Sequence, residues 1–452
     1  MKYAIDYNRI HFVGIGGISM KGLALFCARN GIQTSGSDRQ MSPIIDYLVS
    51  RGVNAYVGAK VGVVASSDLV VFSAAIAESD AELSFARQND IATMERKDFL
   101  AYLSTLCKQV VAIAGTHGKT STTAMVVDIM RKLDKEFVGH IGGDFVGENE
   151  NMVDTGDEFF VTEACEYNKS FLSLEPSVSV ILNCDYDHPD TYPTVKSMYD
   201  AYKSFLQSAK KALILNENCR FLLAEMPTAS EKKIVTYGRC SECDYKIANE
   251  KFDSQNIEYD LLCKGESHRV KLFLKGDYNI DNSACALAIC DTIGIDIDDA
   301  IVALAKFCGV ARRFECKGLA TNGAKVIVDY AHHPQEIRSA VNTARHMTKG
   351  KIKVVFEPHT YSRTKALKDE FVDSFFWADE VIVLPTYSAR EKPSDGWSGQ
   401  DLFCELVRTH IVACFCSTYQ QTADYLKNSC DSDDTILILG AGSVVELANL
   451  LI

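Results

Sequence analysis

The segment Gly115-Thr116-His117-Gly118-Lys119-Thr120 carries the residue types of a phosphate cradle. Glycines let backbone amides fold around an anion, the N-terminus of a following helix adds positive potential, and Lys119 adds a full charge. Thr120 brings a hydroxyl suited to Mg2+. The GxxGKT spacing is shorter than the general GxxxxGKT pattern, so context separates it from an ordinary glycine-rich turn. That context is a buried-strand run at residues 110–114 before it and the helix-like STTAMVVDIMRKL after it. Glu163 ends a second apolar run, and His188 follows a third at residues 178–182. Alone, such residues usually make a surface hydrogen bond. Beside a nucleotide cradle they read as Mg2+ ligands, the carboxylate being better suited to that ion than the imidazole.

Near the N-terminus, Gly14-Ile15-Gly16-Gly17 follows a strand-like run, and Asp38 ends the next strand about twenty residues on, as in a dinucleotide fingerprint. Ser19 occupies the place of the third glycine. A diphosphate at a helix N-terminus and an acid near a ribose suit NAD and a UDP-sugar equally. In the last third, Asp329-Tyr330-Ala331-His332-His333-Pro334 and His359-Thr360-Tyr361-Ser362-Arg363-Thr364 each follow a strand-like run. Zinc would need further ligands there, so phosphate or carboxylate recognition is favoured over metal, while any one of these residues alone reads equally as a solvated loop residue. The planar fork of Arg363 can make two parallel hydrogen bonds to a carboxylate.

These segments need strands to present them. Apolar runs at residues 10–13 and 32–34 flank a helix-like stretch at 19–29, and alternation continues to about residue 100. Further strand cores are expected at 110–114, 159–162, 178–182 and 213–215, then at 326–328, 352–356, 381–384 and 436–439. Residues 234–274 alternate short polar and apolar runs, which predicts hairpins attached to a parallel sheet. The rhythm restarts twice, giving three α/β domains at residues 1–107, 108–312 and 313–452. Polar, Gly-rich and His-rich sequence at so many strand ends implies clefts, because open α/β sheets bind ligands beyond the carboxyl ends of their strands.

A chain of 452 residues supports several cores. Its 47 Lys plus Arg against 60 Asp plus Glu leave a net charge of −13, which disfavours nucleic acid or an anionic membrane as partner. The opening MKYAIDYNRIHFVGIGG lacks the regions of a signal peptide, and no apolar run is long enough to span a membrane, so a cytoplasmic enzyme is expected. The 16 cysteines are scattered through strand-like and helix-like segments and read as reduced thiols. Cys240 and Cys243 form a lone CxxC without a second ligand pair, so no metal is expected there.

Taken in order, HFVGIGG, SGSD, VVFSAAI, AGTHGKTSTTAM, EACEYNKSF, NCDYDH, GDYNIDN, GVARRFE, DYAHHPQEI, PHTYSRT, LPTYSAREKP and GAGS resemble the Mur ligase family across essentially the whole chain. The resemblance implies an N-terminal Rossmann-like UDP-binding domain, a central P-loop ATPase-like domain with a small β appendage, and a C-terminal Rossmann-like domain that brings in the amino acid. It implies that Gly14, Gly16 and Gly17 approach the UDP diphosphate, that Ser37 and Asp38 lie near the nucleoside, and that Ser73 lines the sugar-nucleotide site. Gly115, Thr116, His117, Gly118, Lys119, Thr120 and Ser121 would bind ATP, with Asn279 and Asn282 at the adenine. Thr120, Glu163 and His188 would hold Mg2+, Arg313 and Asp329 would meet ATP from the third domain, and Tyr330, His332 and Arg363 would face the amino acid. The implied reaction is ATP-dependent attachment of L-alanine to the lactyl carboxylate of UDP-N-acetylmuramate through an acyl phosphate, in peptidoglycan synthesis. RRFE and YAHHP favour a single alanine over a tripeptide. Cys165 stands where the family's EADE has Asp, Asp185 where Glu precedes the DH pair, and LKGDYN where LPGxHN is usual.

Two other classes fit less of the sequence. A nicotinamide oxidoreductase would explain GIGG and leave GTHGKT idle. A silent UDP-sugar-binding regulator would be expected to have lost Lys119, Glu163 or His188, and all three are present. The sequence does not identify the group that takes the proton from alanine's amine, and His332 is no more than a weak candidate.

Overall fold

The computed structural model describes residues 3–188, 190–224, 226, 232–252, 256–389 and 391–452. The first sheet holds β1 (Arg9–Val13), β2 (Gln33–Asp38), β3 (Asn54–Val57), β4 (Leu69–Phe72) and β5 (Ala92–Glu95) in the order β3-β2-β1-β4-β5. All its pairings are parallel. The strand order reverses on either side of β1, so the GIGG segment leaves at the switch point, where such sheets open a crevice.

The second sheet contains β6 (Gln109–Ala114), β7 (Phe137–His140), β8 (Met152–Asp154), β9 (Phe159–Glu163), β10 (Val178–Ile181), β11 (Ala212–Asn216), β12 (Lys233–Gly238), β13 (Tyr245–Phe252), β14 (Ile257–Cys263) and β15 (Glu266–Leu272). Its order is β15-β14-β13-β12-β11-β10-β6-β9-β7-β8. Strands β6, β10 and β11 are buried along nearly their whole length and mostly apolar, as strands of a parallel sheet covered on both faces are. Helix Val195–Ser208 shows how the cover is built. Thr194 caps it through a capping box, and Met198, Ala201, Tyr202 and Phe205 form one buried stripe. Burying a Phe such as Phe205 is worth about 1.5–3 kcal/mol.

The hairpin reading of residues 234–274 fails at its first link. Strands β12 and β13 pair in parallel, through Tyr237 with Tyr245 and Gly238 with Lys246. The reason lies in Asp244, whose Oδ2 accepts from the Thr236 N–H at 2.8 Å and its hydroxyl at 2.9 Å. That carboxylate takes the edge donor that a hairpin partner would use, and the chain crosses over before resuming as a strand.

The third sheet has β16 (Glu315–Leu319), β17 (Lys325–Asp329), β18 (Ile352–Phe356), β19 (Glu380–Val383), β20 (Ala413–Phe415) and β21 (Thr435–Leu439), ordered β16-β17-β21-β18-β19-β20. Only β16 is antiparallel to its neighbour. The chain divides into two compact units, one formed by Met1–Lys251, Glu258–Leu272 and Ile280–Cys308, the other by Phe252–Ile257, Phe273–Asn279 and Gly309–Ile452. The first and second sheets share a unit, joined by polar contacts such as Lys21 Nζ to Asp144 at 2.5 Å and Asn151 Nδ2 to the Ile18 carbonyl at 2.9 Å. Among the described residues, no helix is long and apolar enough to cross a membrane.

Candidate functional site

Strand register decides which loops meet at the nucleotide cradle. Strand β6 lies between β9 and β10, with Ile113 opposite Glu163 and Ala114 opposite Ile181. The GTHGKT loop, Glu163 and the NCDYDH loop therefore leave the same sheet edge side by side. Gly115 and Gly118 have φ of 147° and 83°, conformations that L side chains rarely adopt, and a Cβ on Gly115 would lie 2.9 Å from Leu182 Cβ. The two loops are bonded together. Thr116 Oγ1 donates to the Asp185 carbonyl at 2.7 Å, His117 N donates to Asn183 Oδ1 at 2.8 Å, and Asn183 Nδ2 returns a bond to the His117 carbonyl at 3.0 Å.

Helix Lys119–Lys132 opens directly from this loop, with Thr120 buried in its first turn and Ser121 half-buried beside it. Lys119 folds back, donating to the Gly115 carbonyl, to the Thr116 carbonyl at 3.1 Å and to Glu166 Oε1 at 3.0 Å, with Glu166 Oε2 in ion-pair contact at 2.9 Å. Burial opposes charge on Lys119, yet Glu166, Cys165 and Glu163 together raise its pKa. Burial likewise opposes charge on Glu166, and Lys119 with His188 holds it below the ordinary carboxylate value. Asn282 sits beside the cradle, its Oδ1 accepting from Thr122 at 3.3 Å. Asn279 lies one turn earlier on the same helix, Tyr278–Thr292, and donates to the Lys275 carbonyl at 2.7 Å.

Glu163 and His188 sit at adjacent loops of this edge but face different partners. Glu163 Oε1 accepts from the Gly142 N–H at 2.5 Å. A Cβ on Gly142 would stand 2.6 Å from that carboxylate, so the glycine makes room for it. His188 has φ of 57°, its Nε2 is 3.6 Å from Glu166 and 3.6 Å from Asp187, and its ring lies 4.9 Å from that of Tyr167. Thr120, Glu163 and His188 therefore lie on neighbouring loops of one sheet edge, and a further carboxylate, Glu166, which the sequence reading missed, stands 3.6 Å from His188. Glu166 is buried, and hard oxygen donors beside a phosphate cradle are the chemistry that Mg2+ requires, so these residues fit that ion.

In the first sheet, Gly14 has φ of 81° and its N–H donates to the Ser37 carbonyl at 2.8 Å. A Cβ on Gly14 would reach Ser73 Oγ at 3.4 Å, which brings those two expected residues together. Asp38 Oδ2 accepts from the Gly16 N–H at 2.9 Å and so shapes the glycine turn itself, while Gly17 precedes helix Ile18–Arg29. Ser37 points elsewhere than its expected place near a nucleoside. It is buried, and its hydroxyl donates to Glu82, which also accepts from Tyr56 at 3.1 Å and the Lys60 N–H at 2.7 Å. Although burial works against it, Glu82 is held down to about 2 by His11 and these donors. Ser19, in place of the third glycine, bonds His140 Nε2 at 2.9 Å, and Thr162 takes the other ring nitrogen at 3.1 Å. Burial pushes His140 down to about 3, so it is a neutral link between the two sheets.

The second unit gathers its own cluster. Asp329 ends β17, accepting from the Phe314 N–H at 2.6 Å and the Ala331 N–H at 2.7 Å. Burial pushes its pKa up to about 6 against the pull of Arg313. Arg313 lies 4.9 Å over the Tyr330 ring, which is 5.3 Å from His332, which in turn is 5.6 Å from His359. Arg363 NH1 approaches His359 Nδ1 at 3.3 Å. Tyr330, His332 and Arg363 are therefore brought together, with His359 as the connecting ring. The expectation for His332 as proton acceptor meets an obstacle. Burial lowers its pKa to about 3, with Arg363 and His359 adding to the effect, and so weak a base does not compete for an amine proton.

Comparison with known proteins decides what this architecture is. Family models match in sequence: Mur ligase family, catalytic domain, over residues 9–106, Mur ligase middle domain over 113–290, and Mur ligase, glutamate ligase domain over 312–442. The UDP-N-acetylmuramate--L-alanine ligase of Clostridium tetani is 36% identical over 450 residues, covering 98% of this chain and 97% of that protein. The chain belongs to the Mur ligase family. Among Mur ligase structures, the UDP-N-acetylmuramate-alanine ligase of Thermotoga maritima superposes with a TM-score of 0.82 at 26% identity, covering 98% of this chain and 97% of that one. A murein peptide ligase from Psychrobacter arcticus shares the Mur ligase fold, with a TM-score of 0.74 at 20% identity over 97% of each chain.

Proposed function

We propose that this protein joins L-alanine to the lactyl carboxylate of UDP-N-acetylmuramate at the expense of ATP, releasing ADP and phosphate, in peptidoglycan synthesis. The observation that carries this reading is the full-length similarity, at 36% identity, to a ligase of that name. Supporting it, the phosphate cradle has a half-buried lysine and two carboxylates at one sheet edge, the parts that an ATP-driven acylation needs.

A carboxylate resists amine attack because oxide is a poor leaving group. A lactyl oxygen attacks the γ-phosphorus, the bond to the bridging oxygen breaks, and ADP departs, leaving an acyl phosphate. Alanine's neutral amine then adds to the acyl carbon, and the tetrahedral species expels phosphate as the nitrogen loses its proton. Lys119 leaves Glu166 to meet the γ-phosphate, and the amides of residues 115–121 hold the remaining oxygens. Thr120, Glu163 and His188 would hold Mg2+, which would supply further neutralisation of phosphate charge. Gly14, Gly16, Gly17, Asp38 and Ser73 take the UDP-sugar, with Ser37 supporting them through its backbone carbonyl. Asn279 and Asn282 take the adenine, Arg313 and Asp329 complete the ATP site, and Tyr330, His332 and Arg363 receive the alanine carboxylate. Domain boundaries fall near residues 107 and 312. Because ATP and a UDP-linked precursor are consumed together, the compartment is the cytoplasm.

The test is phosphate release with UDP-N-acetylmuramate, ATP, Mg2+ and a panel of amino acids. Release should require the UDP-sugar and strongly prefer alanine over bulkier amino acids. Equal turnover with a tripeptide would reassign the substrate within the family.

A further inference from the structure

The turn between β12 and β13 holds a cluster that the ligase chemistry does not use. Strands β11 and β12 run in register, Asn216 opposite Tyr237, so Glu217 and Gly238 emerge side by side. Gly238 has φ of 152°, and a Cβ there would stand 2.5 Å from Glu217 Cδ, so the glycine lets the carboxylate lie over the next turn. In that turn the Cys243 N–H donates to the Cys240 carbonyl at 3.3 Å, folding both sulfurs to one side. Their Sγ atoms are 2.9 Å apart. Glu217 Oε2 accepts from the Cys240 N–H at 2.6 Å and lies 3.6 Å from Cys243 Sγ. One donor atom from each of the three residues falls within 4.8 Å of the others, with Cys243 buried and the other two half-buried.

We propose that Glu217, Cys240 and Cys243 form a zinc site, with solvent as the fourth ligand. Sequence reading dismissed the CxxC for want of further ligands, and Glu217 supplies one from 23 residues away. Tetrahedral Zn2+ has bonds of about 2.3 Å to sulfur and about 2.0–2.2 Å to carboxylate oxygen, which place ligand atoms roughly 3.3–3.8 Å apart. The Cys243–Glu217 separation already meets that spacing, and the sulfurs need to part by less than about 1 Å. Paired thiolates exclude Mg2+ and Ca2+, and the mixed sulfur and oxygen set suits Zn2+ better than the all-sulfur preference of Cu(I) or an iron–sulfur cluster. The ion would pin the end of β12, the start of β13 and helix Glu217–Leu223 together. Next to it, Arg239 bridges Glu250 and Asp281, which ties the same turn to helix Tyr278–Thr292. The site is separate from the Mg2+ ligands and does not depend on the ligase reading.

The test uses the full chain, stripped of metal under reducing conditions and titrated with Co2+ and then Zn2+. Co2+ should give a thiolate charge-transfer band and tetrahedral ligand-field bands at one ion per chain, and Zn2+ should bleach both. Cys240→Ser/Cys243→Ser should abolish the band, and Glu217→Gln should keep it while weakening Zn2+ binding at least about tenfold, the loss of one charged ligand. Cys184→Ser, which removes a thiol 3.6 Å from Cys219 in the neighbouring loop, should change neither and serves as the control. Absence of a thiolate band in the wild type would overturn the site, as would its persistence in the double serine variant. A Cys240–Cys243 disulfide resistant to mild reductant would also overturn it.

Discussion

The buried pair between Lys119 and Glu166 makes a prediction whose size can be worked from its geometry. Glu166→Gln keeps the shape and removes the charge. At 2.9 Å and an effective dielectric of about 20, the gross attraction is roughly 332/(20 × 2.9), or about 6 kcal/mol. Desolvation offsets part of that, and removing one partner of a buried pair costs about 3–5 kcal/mol. Lys119 keeps its bonds to the Gly115 and Thr116 carbonyls and its side chain is 15% exposed, so the low end, about 3 kcal/mol, applies. In a unit of this size the nucleotide-free variant should melt about 3–5 °C below wild type.

The same arithmetic reverses when ATP binds. In the wild type, phosphate must draw Lys119 away from Glu166, whereas in the variant that charge is already uncompensated. ATP without Mg2+ should therefore bind Glu166→Gln more tightly, by about 10- to 100-fold for 1.4–3 kcal/mol, and should return most of the lost thermal stability. Calorimetric titration and melting curves with and without ATP measure both effects. Weaker ATP binding in the absence of Mg2+, or an unchanged melting temperature, would refute the reasoning and show that Glu166 does not restrain Lys119.

Asp38→Ala removes the acceptor that shapes the GIGG turn, so it should raise KM for UDP-N-acetylmuramate by about tenfold or more, whereas Glu163→Ala should lower kcat and raise the Mg2+ requirement. Steady-state kinetics varying each component separately would contradict this division if the two phenotypes were exchanged. Gly142→Ala puts a methyl group against the Glu163 carboxylate, a flexible group that can swing aside, so Mg2+-dependent turnover should fall while the melting temperature moves little. A large stability loss would mean that the glycine serves packing. Asp329, raised from 3.8 to about 6 by burial, favours folding below its unfolded pKa and loses that contribution as pH rises through about 6, a change of about 3 kcal/mol. Urea unfolding should therefore show wild type gaining on Asp329→Asn by about that amount between about pH 7 and pH 4, and a constant difference across that range would exclude it.

What the sequence disclosed and what it hid follow one physical line. GTHGKT, Glu163 and the NCDYDH loop were legible because each comes directly after an apolar run, and in a parallel sheet strand ends share an edge whatever their order in the chain. The strand cores were legible for the same reason, since burial on both faces leaves no alternation to confuse the reading. The β12–β13 crossover was not, because its outcome turns on one side chain, Asp244, bonding backwards to Thr236.

The hidden residues are those whose role is set by a partner far along the chain. Glu166 reads as one more polar residue after a strand until Lys119, 47 positions earlier, is placed against it. Ser19 reads as a defect in a glycine fingerprint until His140, 121 positions later, takes its hydroxyl. The family resemblance places Ser37 with Asp38 near a nucleoside, yet neighbours on a strand point to opposite faces, and the Ser37 face holds buried Glu82. A strand end therefore marks where a site must be, and only the packing behind it tells which of two adjacent polar residues looks outward. The same reasoning makes Glu166 the residue to perturb first, since it touches both Lys119 and His188.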